Sequence, residues 1–151
     1  MQNKKYVVDS VSHTTIRRYL IYEDSLALYI SHWCMSVIKI NPSPINHLEL
    51  CLGTLVEMFE GDVYETLDTY IKQQLVSSIH IRNVKGKIPR YYETFIDEGD
   101  LDIYRIIDII KKNNYHGLLI PDHTPQMSCA APWHVGMAYA LGFLKGIINN
   151  L

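Results

Sequence analysis

The chain has 151 residues, of which 48% are hydrophobic and 20% are charged, and its formal net charge is −2. This balance is typical of one globular domain with a core of its own, and the small net charge gives no indication of a nucleic-acid or membrane partner. The longest apolar runs, such as Ile106–Ile110, are too short to span a bilayer.

The cysteines and the N-terminus both favour a cytoplasmic protein. Cys34, Cys51 and Cys129 are an odd number at wide spacing, so we expect no disulfide framework, and a reducing cytoplasm fits them better. No sustained apolar segment follows Met1, so a secretory signal is not expected.

The first part of the chain, residues 1–42, is poorly defined by its pattern. Tyr22 to Ile40 favours one helix, and residues 6–8 could form a short strand. The prolines at positions 42 and 44 then predict a loop, because proline fixes φ and keeps the preceding residue out of a helix.

A regular alternation of strands and helices begins near His47. Apolar runs predict strands, and apolar positions at helical spacing predict helices. The predicted strands are 47–52, 77–82 and 117–121, and the predicted helices begin at Gly61-Asp62, at Asp100 or Asp102, and at Val135. A long loop is expected through Gly86, Pro89 and Gly99, and Gly136, Gly142 and Gly146 are expected to allow close packing of the last helix.

The resulting β-α-β-α-β-α order predicts an α/β fold with a parallel sheet. Residues 43–151 would then form one unit. Three or four β-α units do not close an eight-stranded barrel. They could form a small open sheet or half of a barrel that needs a partner half.

Candidate ligand residues lie at the ends of the three strands. These are Cys51, His80 with Arg82, and Asp122 with His123. Chemistry in parallel α/β folds sits at the carboxyl ends of strands, and thiolate, imidazole and carboxylate are all metal ligands. Taken singly, the cysteine could be a small core residue, the histidine a structural residue and the aspartate a turn cap.

At these residues the chain resembles the mannonate dehydratase family. The matching stretches follow the family's order, and the strongest is Pro121-Asp122-His123-Thr124-Pro125. The others are Ser43-Pro44-Ile45-Asn46, Leu50-Cys51-Leu52-Gly53-Thr54 with Glu57-Met58, Ile79 to Gly86, Glu93-Thr94-Phe95, Glu98 to Asp102, and Gly136 to Gly142.

The resemblance implies a metal-dependent hydro-lyase with a TIM (β/α)8 barrel. Family members dehydrate D-mannonate to 2-keto-3-deoxy-D-gluconate in hexuronate (glucuronate) catabolism, usually with manganese. Carried over by motif, Cys51, His80 and Asp122 would be three of four metal ligands, and His123 an acid/base residue. Arg82 is a candidate partner for the substrate carboxylate, because a guanidinium fork suits that geometry. Ligand softness alone would favour zinc or iron.

Two features of the family pattern are missing. Its first metal histidine belongs to a His-Pro-(Asp/Asn)-Asp-Pro-Pro stretch that does not occur here, and His13 matches it by spacing only. The Gly-Tyr pair that carries a catalytic tyrosine is replaced by Pro132-Trp133-His134. Of the nearby side chains, His134 could transfer a proton, and Tyr139 is expected inside the last helix.

The expectation is therefore the C-terminal half of a dehydratase barrel. It would act on a sugar acid as a homo-oligomer or with a complementing N-terminal half. The alternatives are a truncated, non-catalytic remnant and a related barrel sugar isomerase or epimerase. The Pro-Asp-His and Cys-Leu-Gly-Thr motifs favour the dehydratase over the isomerase.

Overall fold

A computed structural model describes residues 38–40, 46–58 and 61–150 of the chain. Residues 38–40 are helical, as predicted for the end of the first helix. The remainder of that helix, the strand considered at residues 6–8, and the side chains of His13 and Cys34 lie outside the described residues.

Five strands and four helices follow in chain order. They are β1 (Leu48–Cys51), α1 (Leu52–Glu57), α2 (Val63–Lys72), β2 (Val76–Ile81), β3 (Asn83–Lys87), β4 (Arg90–Thr94), α3 (Ile103–Lys112), β5 (Leu118–Pro121) and α4 (Pro132–Asn150). The strands and helices predicted from His47 onward are therefore all present, to within a few residues at each end.

A three-stranded parallel sheet forms the centre of the fold, in the order β1-β2-β5. The parallel arrangement predicted from the alternating elements is confirmed. Leu50, Ile79 and Ile81 point to the buried side of this sheet, where Leu67 of α2 and Ile106 of α3 complete the core. The helices α2 and α3 bury their apolar stripes in this core and leave their charged sides in water.

The cap residues explain where α2 and α3 begin. The Asp62 carboxylate accepts hydrogen bonds from the backbone N–H groups of Tyr64 and Glu65. The Asp102 carboxylate accepts one from Arg105. Of the two caps considered for α3, Asp102 is thus the one used, and Asp100 instead accepts a hydrogen bond from the Gly86 N–H.

The predicted long loop between β2 and α3 is wrong. Residues 83–94 form an antiparallel hairpin, β3 paired with β4 from Asn83–Thr94 to Lys87–Arg90. The fully buried Asn83 ties this hairpin to the next loop. Its side-chain amide donates to the carbonyls of Ile96 and Leu101, and its oxygen accepts from the N–H groups of Val84 and Leu101.

The helix α1 was not predicted either. It begins directly after β1, and its Gly53 lies against Arg82. A Cβ at Gly53 would come within 2.4 Å of the Arg82 Cγ. In α4, Gly136 packs against Thr124 as expected. Gly142 and Gly146 have no atom of the described residues within 4 Å of the corresponding position, so the close packing predicted for them is not observed.

Candidate functional site

The predicted site residues lie at one edge of the parallel sheet. Cys51 ends β1 and is the register partner of His80 on β2, while Asp122 follows the last residue of β5. The backbone N–H of Asp122 donates to the Ile81 carbonyl, which fixes the end of β5 beside β2. The sheet thus brings the three predicted ligands to adjacent positions, as its parallel topology requires.

His80 and Asp122 lie beside each other at the ends of β2 and β5. The His80 Nδ1 lies 3.7 Å from the Asp122 Oδ2, which is too long for a hydrogen bond. This Nδ1 is buried and has no hydrogen-bond partner among the described residues. The other ring nitrogen, Nε2, lies 3.4 Å from the Glu49 Oε2.

Cys51 lies close to this pair but has other contacts. Its sulfur accepts a hydrogen bond from the Thr54 hydroxyl at 3.2 Å. The Cys51 thiol is half-buried. Like the exposed Cys129, it is not part of a disulfide. Since α1 begins at Leu52, the helix that follows β1 positions Thr54 against the thiol one turn later.

Arg82 is buried behind the strand ends and connects four acidic or polar groups. Its side chain is 0% exposed. Nη1 donates to the Glu93 carboxylate at 3.1 Å, and Nη2 donates to Thr54 at 3.3 Å and to Glu57 at 3.2 Å. Its Nε lies 3.8 Å from the Asp122 Oδ2. The predicted contact of Arg82 with a substrate carboxylate stays a prediction, and the observed contacts are all with the chain itself.

Electrostatics keeps the Arg82 guanidinium charged. Burial alone would lower its pKa, but the charges of Cys51, Glu93 and Glu57, together with a hydrogen bond to Cys51, raise the pKa above its ordinary value. Loss of one acidic partner would therefore destabilise the folded chain, because the buried Arg82 charge would be less well compensated.

His123 is the accessible histidine of the site. Its side chain is 42% exposed, its Nδ1 lies 3.1 Å from the Glu93 Oε1, and its Nε2 lies 3.5 Å from the Asp122 Oδ1. The hydrogen bond to Glu93 raises the pKa of His123, and burial opposes this more weakly. An imidazole that is open to solvent and backed by a carboxylate is suited to proton transfer.

Glu93 connects His123 to Arg82. Burial raises the pKa of the Glu93 carboxyl, but the hydrogen bonds and charges of His123 and Arg82 outweigh burial, so the pKa lies below its ordinary value. The sequence pattern predicts no role for Glu93, since it predicts a loop where the hairpin that presents Glu93 is observed. Glu49 was also missed, although its spacing of two residues from Cys51 on one strand places both on the same side of the sheet.

The donor atoms suit a divalent ion in part. A buried imidazole nitrogen without a hydrogen-bond partner faces a carboxylate oxygen, and a thiol lies on the neighbouring strand. Within the described part of the chain, however, no three His, Cys, Asp or Glu side chains form a group that could hold a metal ion. His80 and Asp122 thus supply two possible ligand atoms, and the Cys51 sulfur lies on the neighbouring strand. The predicted three-ligand site stays a prediction.

The residues considered as replacements for a catalytic tyrosine lie on α4. The Tyr139 hydroxyl donates to the Asp97 carboxylate at 2.7 Å, and this hydrogen bond raises the pKa of Tyr139. Its ring packs edge-on against Phe95, with 5.2 Å between the centroids. Tyr139 is therefore engaged in joining α4 to the loop after β4.

A cleft of about 520 Å³ lies at the opposite end of the sheet, where the strands begin. Its lining includes Lys72 and Lys112, which are in the last turns of α2 and α3. Positive charge at helix C-termini offsets the helix dipole. These lysines are thus explained by helix stability, and the predicted site residues Cys51, His80 and Asp122 lie at the other end of the sheet.

Comparison with known proteins relates the chain to mannonate dehydratases. The family described as D-mannonate dehydratase (UxuA) matches residues 31–151. A mannonate dehydratase of Lactococcus lactis subsp. cremoris is 31% identical over 96 residues, covering 60% of this chain and 26% of the relative. A mannonate dehydratase of Geobacillus thermodenitrificans is 26% identical over 125 residues, covering 76% of this chain and 34% of the relative.

Two solved structures share the fold. The crystal structure of mannonate dehydratase from Streptococcus suis serotype 2 superposes with a TM-score of 0.68 at 19% identity, over 78% of this chain and 36% of that one. A xylose isomerase domain protein from Planctomyces limnophilus gives a TM-score of 0.64 at 18% identity, over 80% of this chain and 45% of that one. The aligned part of the chain therefore spans about a quarter to a half of the proteins it resembles.

None of the helices within residues 38–40, 46–58 and 61–150 is long and apolar enough to cross a membrane.

Proposed function

Because the chain belongs to the D-mannonate dehydratase family, we propose that it takes part in the metal-dependent dehydration of D-mannonate to 2-keto-3-deoxy-D-gluconate. The observation that supports this most is the convergence of His80, Asp122 and the His123–Glu93 pair at the carboxyl edge of the parallel sheet. The cytoplasmic location expected from the sequence stays a prediction.

The metal site would use His80 and Asp122, with Cys51 as the third ligand. These residues supply an imidazole, a carboxylate and a thiolate, and manganese is the expected ion, with iron or zinc as alternatives. When bound, a divalent ion would orient the sugar acid and offset the negative charge that develops next to its carboxylate. The family's fourth ligand belongs to the His-Pro-(Asp/Asn)-Asp-Pro-Pro stretch that this sequence lacks.

His123 would move protons in the reaction. Dehydration removes a proton from the carbon next to the carboxylate and protonates the departing hydroxyl group, so that water leaves. The raised pKa of His123 favours an imidazolium that can donate this second proton. Glu93, bonded to its Nδ1, would hold the ring so that Nε2 faces the substrate side.

Arg82 would act as a positioning residue in this scheme. Its guanidinium holds Glu93 on one side and Glu57 on the other, and it lies near Asp122. The position of the His123–Glu93 pair relative to the sheet therefore depends on Arg82. A direct contact between Arg82 and a substrate carboxylate would require these bonds to rearrange.

The proposed architecture is the C-terminal half of a (β/α)8 barrel. The three parallel strands and the similarity to barrel structures support it. A second copy of the chain, or a complementing N-terminal half, would supply the missing strands and the rest of the substrate pocket.

A non-catalytic role is the second candidate. It is favoured by the open donor set, since no metal-binding group of three side chains forms among the described residues. A chain of this kind would fold and associate but turn over no substrate.

The test is D-mannonate dehydration by the purified full chain with added Mn²⁺, alongside Cys51→Ala and Asp122→Ala and with bound metal measured directly. Turnover that both substitutions reduce by at least about 100-fold supports the proposal. Metal binding that depends on Cys51, without turnover, supports the metal site but contradicts activity of the chain alone. If neither metal binding nor turnover is found, the non-catalytic role is correct.

A further inference from the structure

Three residues of α1 contact the buried Arg82 side chain, and we call Gly53, Thr54 and Glu57 the Arg82 socket. The Arg82 Nη2 donates to the Thr54 hydroxyl at 3.3 Å and to the Glu57 carboxylate at 3.2 Å. Gly53 lies against the same side chain, because a Cβ there would be 2.4 Å from Cγ, 2.7 Å from Nε and 2.8 Å from Cζ. The socket therefore holds Arg82 both by hydrogen bonds and by close packing along its length.

The close approach of Arg82 explains why position 53 is a glycine. Gly53 lies in α1 and its φ is not positive, so alanine would adopt the same backbone conformation without strain. Glycine also loses more conformational entropy on folding than alanine does. The backbone therefore gives no reason for glycine at this position, and the space that the Arg82 side chain fills does.

The Arg82 side chain is held at both ends of its guanidinium, so it cannot move aside for a methyl group at position 53. Nη2 is bonded to α1, whereas Nη1 donates to both oxygens of Glu93 on β4, at 3.1 and 3.3 Å. The Glu93 carboxylate in turn lies 3.1 Å from the His123 Nδ1. A displacement of Arg82 would therefore be passed through Glu93 to His123.

We propose that Gly53 is a positioning residue. The space beside its Cα seats the Arg82 guanidinium, which holds Glu93 and thereby the ring of His123 at the carboxyl edge of the sheet. The catalytic importance of this arrangement rests on the function proposed above, because His123 is the residue that moves protons there. The seating of Arg82 itself is a property of the folded chain and can be measured without substrate.

The test is the set of guanidinium N–H signals of Arg82 in ¹H–¹⁵N spectra of the full chain, and Arg82→Lys identifies them. Burial slows the exchange of such protons with water, so we expect the wild type to show persistent Arg82 signals at neutral pH. In Gly53→Ala these signals should shift, and their exchange should become at least about 10-fold faster. The reason is that the added methyl group takes the space of the Arg82 Cγ and Nε.

Gly142→Ala is the matched control. Gly142 is also a helical glycine whose φ is not positive, and no described atom lies within 4 Å of its Cβ position. This variant should leave the Arg82 signals as they are in the wild type. Glu57→Gln removes the charge that holds Nη2 while keeping the size of the side chain, so it should also speed the exchange. It provides the test should Gly53→Ala fail to fold.

The ring signals of the histidines show whether the displacement reaches the site. The His123 signals should shift in Gly53→Ala and stay unchanged in Gly142→Ala. His47 and His116 line the cleft at the opposite end of the sheet and should keep their wild-type shifts in both variants. An unchanged His123 would overturn the inference, and so would equal shifts of all three histidines, which would reflect a general loss of structure.

The outcomes separate this inference from the proposed function. Wild-type exchange of the Arg82 signals in both Gly53→Ala and Glu57→Gln would overturn the inference. If the wild type dehydrates D-mannonate, Gly53→Ala should lower kcat at least about 10-fold and change KM less than about 3-fold. A chain that turns over no D-mannonate, yet shows the expected Arg82 and His123 shifts, supports the role of Gly53 and contradicts the activity of the chain alone.

Discussion

Arg82 and Glu93 show how single residues hold the site together. Arg82 is wholly buried, and its bonds to Glu57, Thr54 and Glu93 join α1 to β4 behind the strand ends. Glu93 extends this chain of contacts to the accessible His123. Each group in the series satisfies a charge or hydrogen bond that the next would otherwise leave unpaired.

The Glu93 carboxylate should contribute stability that depends on pH. Its folded-state pKa lies below the ordinary value, so its contribution is present above the unfolded pKa of about 4.5 and is lost as pH falls through the folded pKa. We expect Glu93→Gln to lower the free energy of unfolding by about 1–2 kcal/mol at pH 7, a range that allows for solvent screening. Urea unfolding at pH 7 and at acid pH measures the difference.

Glu98→Gln is the matched control, because Glu98 is an exposed carboxylate on the loop after β4. It should change the unfolding free energy little at either pH. An effect of Glu93→Gln that is as large in acid as at pH 7 would contradict the assigned role of the Glu93 charge.

The positions of the candidate residues could be predicted, but their contacts could not. Cys51, His80 and Asp122 follow apolar runs of strand length, and parallel strands bring such ends together. The Glu93–His123 and Arg82–Glu57 pairs join residues that are 30 and 25 positions apart. No local pattern indicates such pairs, because they depend on how the hairpin and α1 fold onto the sheet.

At the scale of elements, the two that were not predicted, the β3–β4 hairpin and α1, lack a regular spacing of apolar residues. The β3 and β4 sequences, NVKGK and RYYET, contain no regular apolar alternation and are separated by Pro89. The six-residue α1 is shorter than two helical turns and contains Gly53. Long-range bonds stabilise both instead, such as the one from the Ile88 N–H to the Glu57 carbonyl at 2.9 Å.

The hairpin depends on Gly86 in a way that a substitution can test. Gly86 has φ +92°, and a Cβ there would lie 2.5 Å from the Arg90 carbonyl oxygen. We expect Gly86→Ala to lower the free energy of unfolding by about 1–3 kcal/mol, because it adds a steric clash to an unfavourable φ. Thermal or urea unfolding measures this loss.

Gly61 provides a matched control for the clash. It has φ +93°, but no described atom lies within 4 Å of the corresponding Cβ position. Gly61→Ala should therefore show only the smaller cost of the backbone conformation, about 1 kcal/mol. Equal losses for the two variants would mean that the contact with Arg90 does not limit the hairpin.

At the scale of the whole molecule, the two faces of the parallel sheet differ in what covers them. Leu50, Ile79 and Ile81 are covered on one face by α2 and α3. The opposite face has Glu49 and His80 in neighbouring rows, and Leu118, which pairs with Ser78, is 66% exposed. Within the described residues, β1 and β5 each lack a hydrogen-bonded strand on one edge.

The sequence could predict that helices cover one face of the sheet, but not what covers the opposite face. Alternating strands and helices require helices on at least one face of the sheet, which is observed. Whether a second copy or another chain covers the opposite face depends on surface complementarity between molecules, and a single sequence has no periodic signature for that.

We expect the chain to self-associate through the face that presents Leu118. Exposed apolar side chains beside open strand edges favour pairing with another chain, and the aligned part spans only 36% of the Streptococcus suis structure. Leu118→Glu should weaken association at least about 10-fold, because pairing would bury its charge. Sedimentation of the full chain over a range of concentrations measures this. Leu141→Glu, at an exposed leucine of α4, should associate like the wild type. A wild type that stays monomeric throughout, or equal weakening by both variants, would show that this sheet face is not the interface.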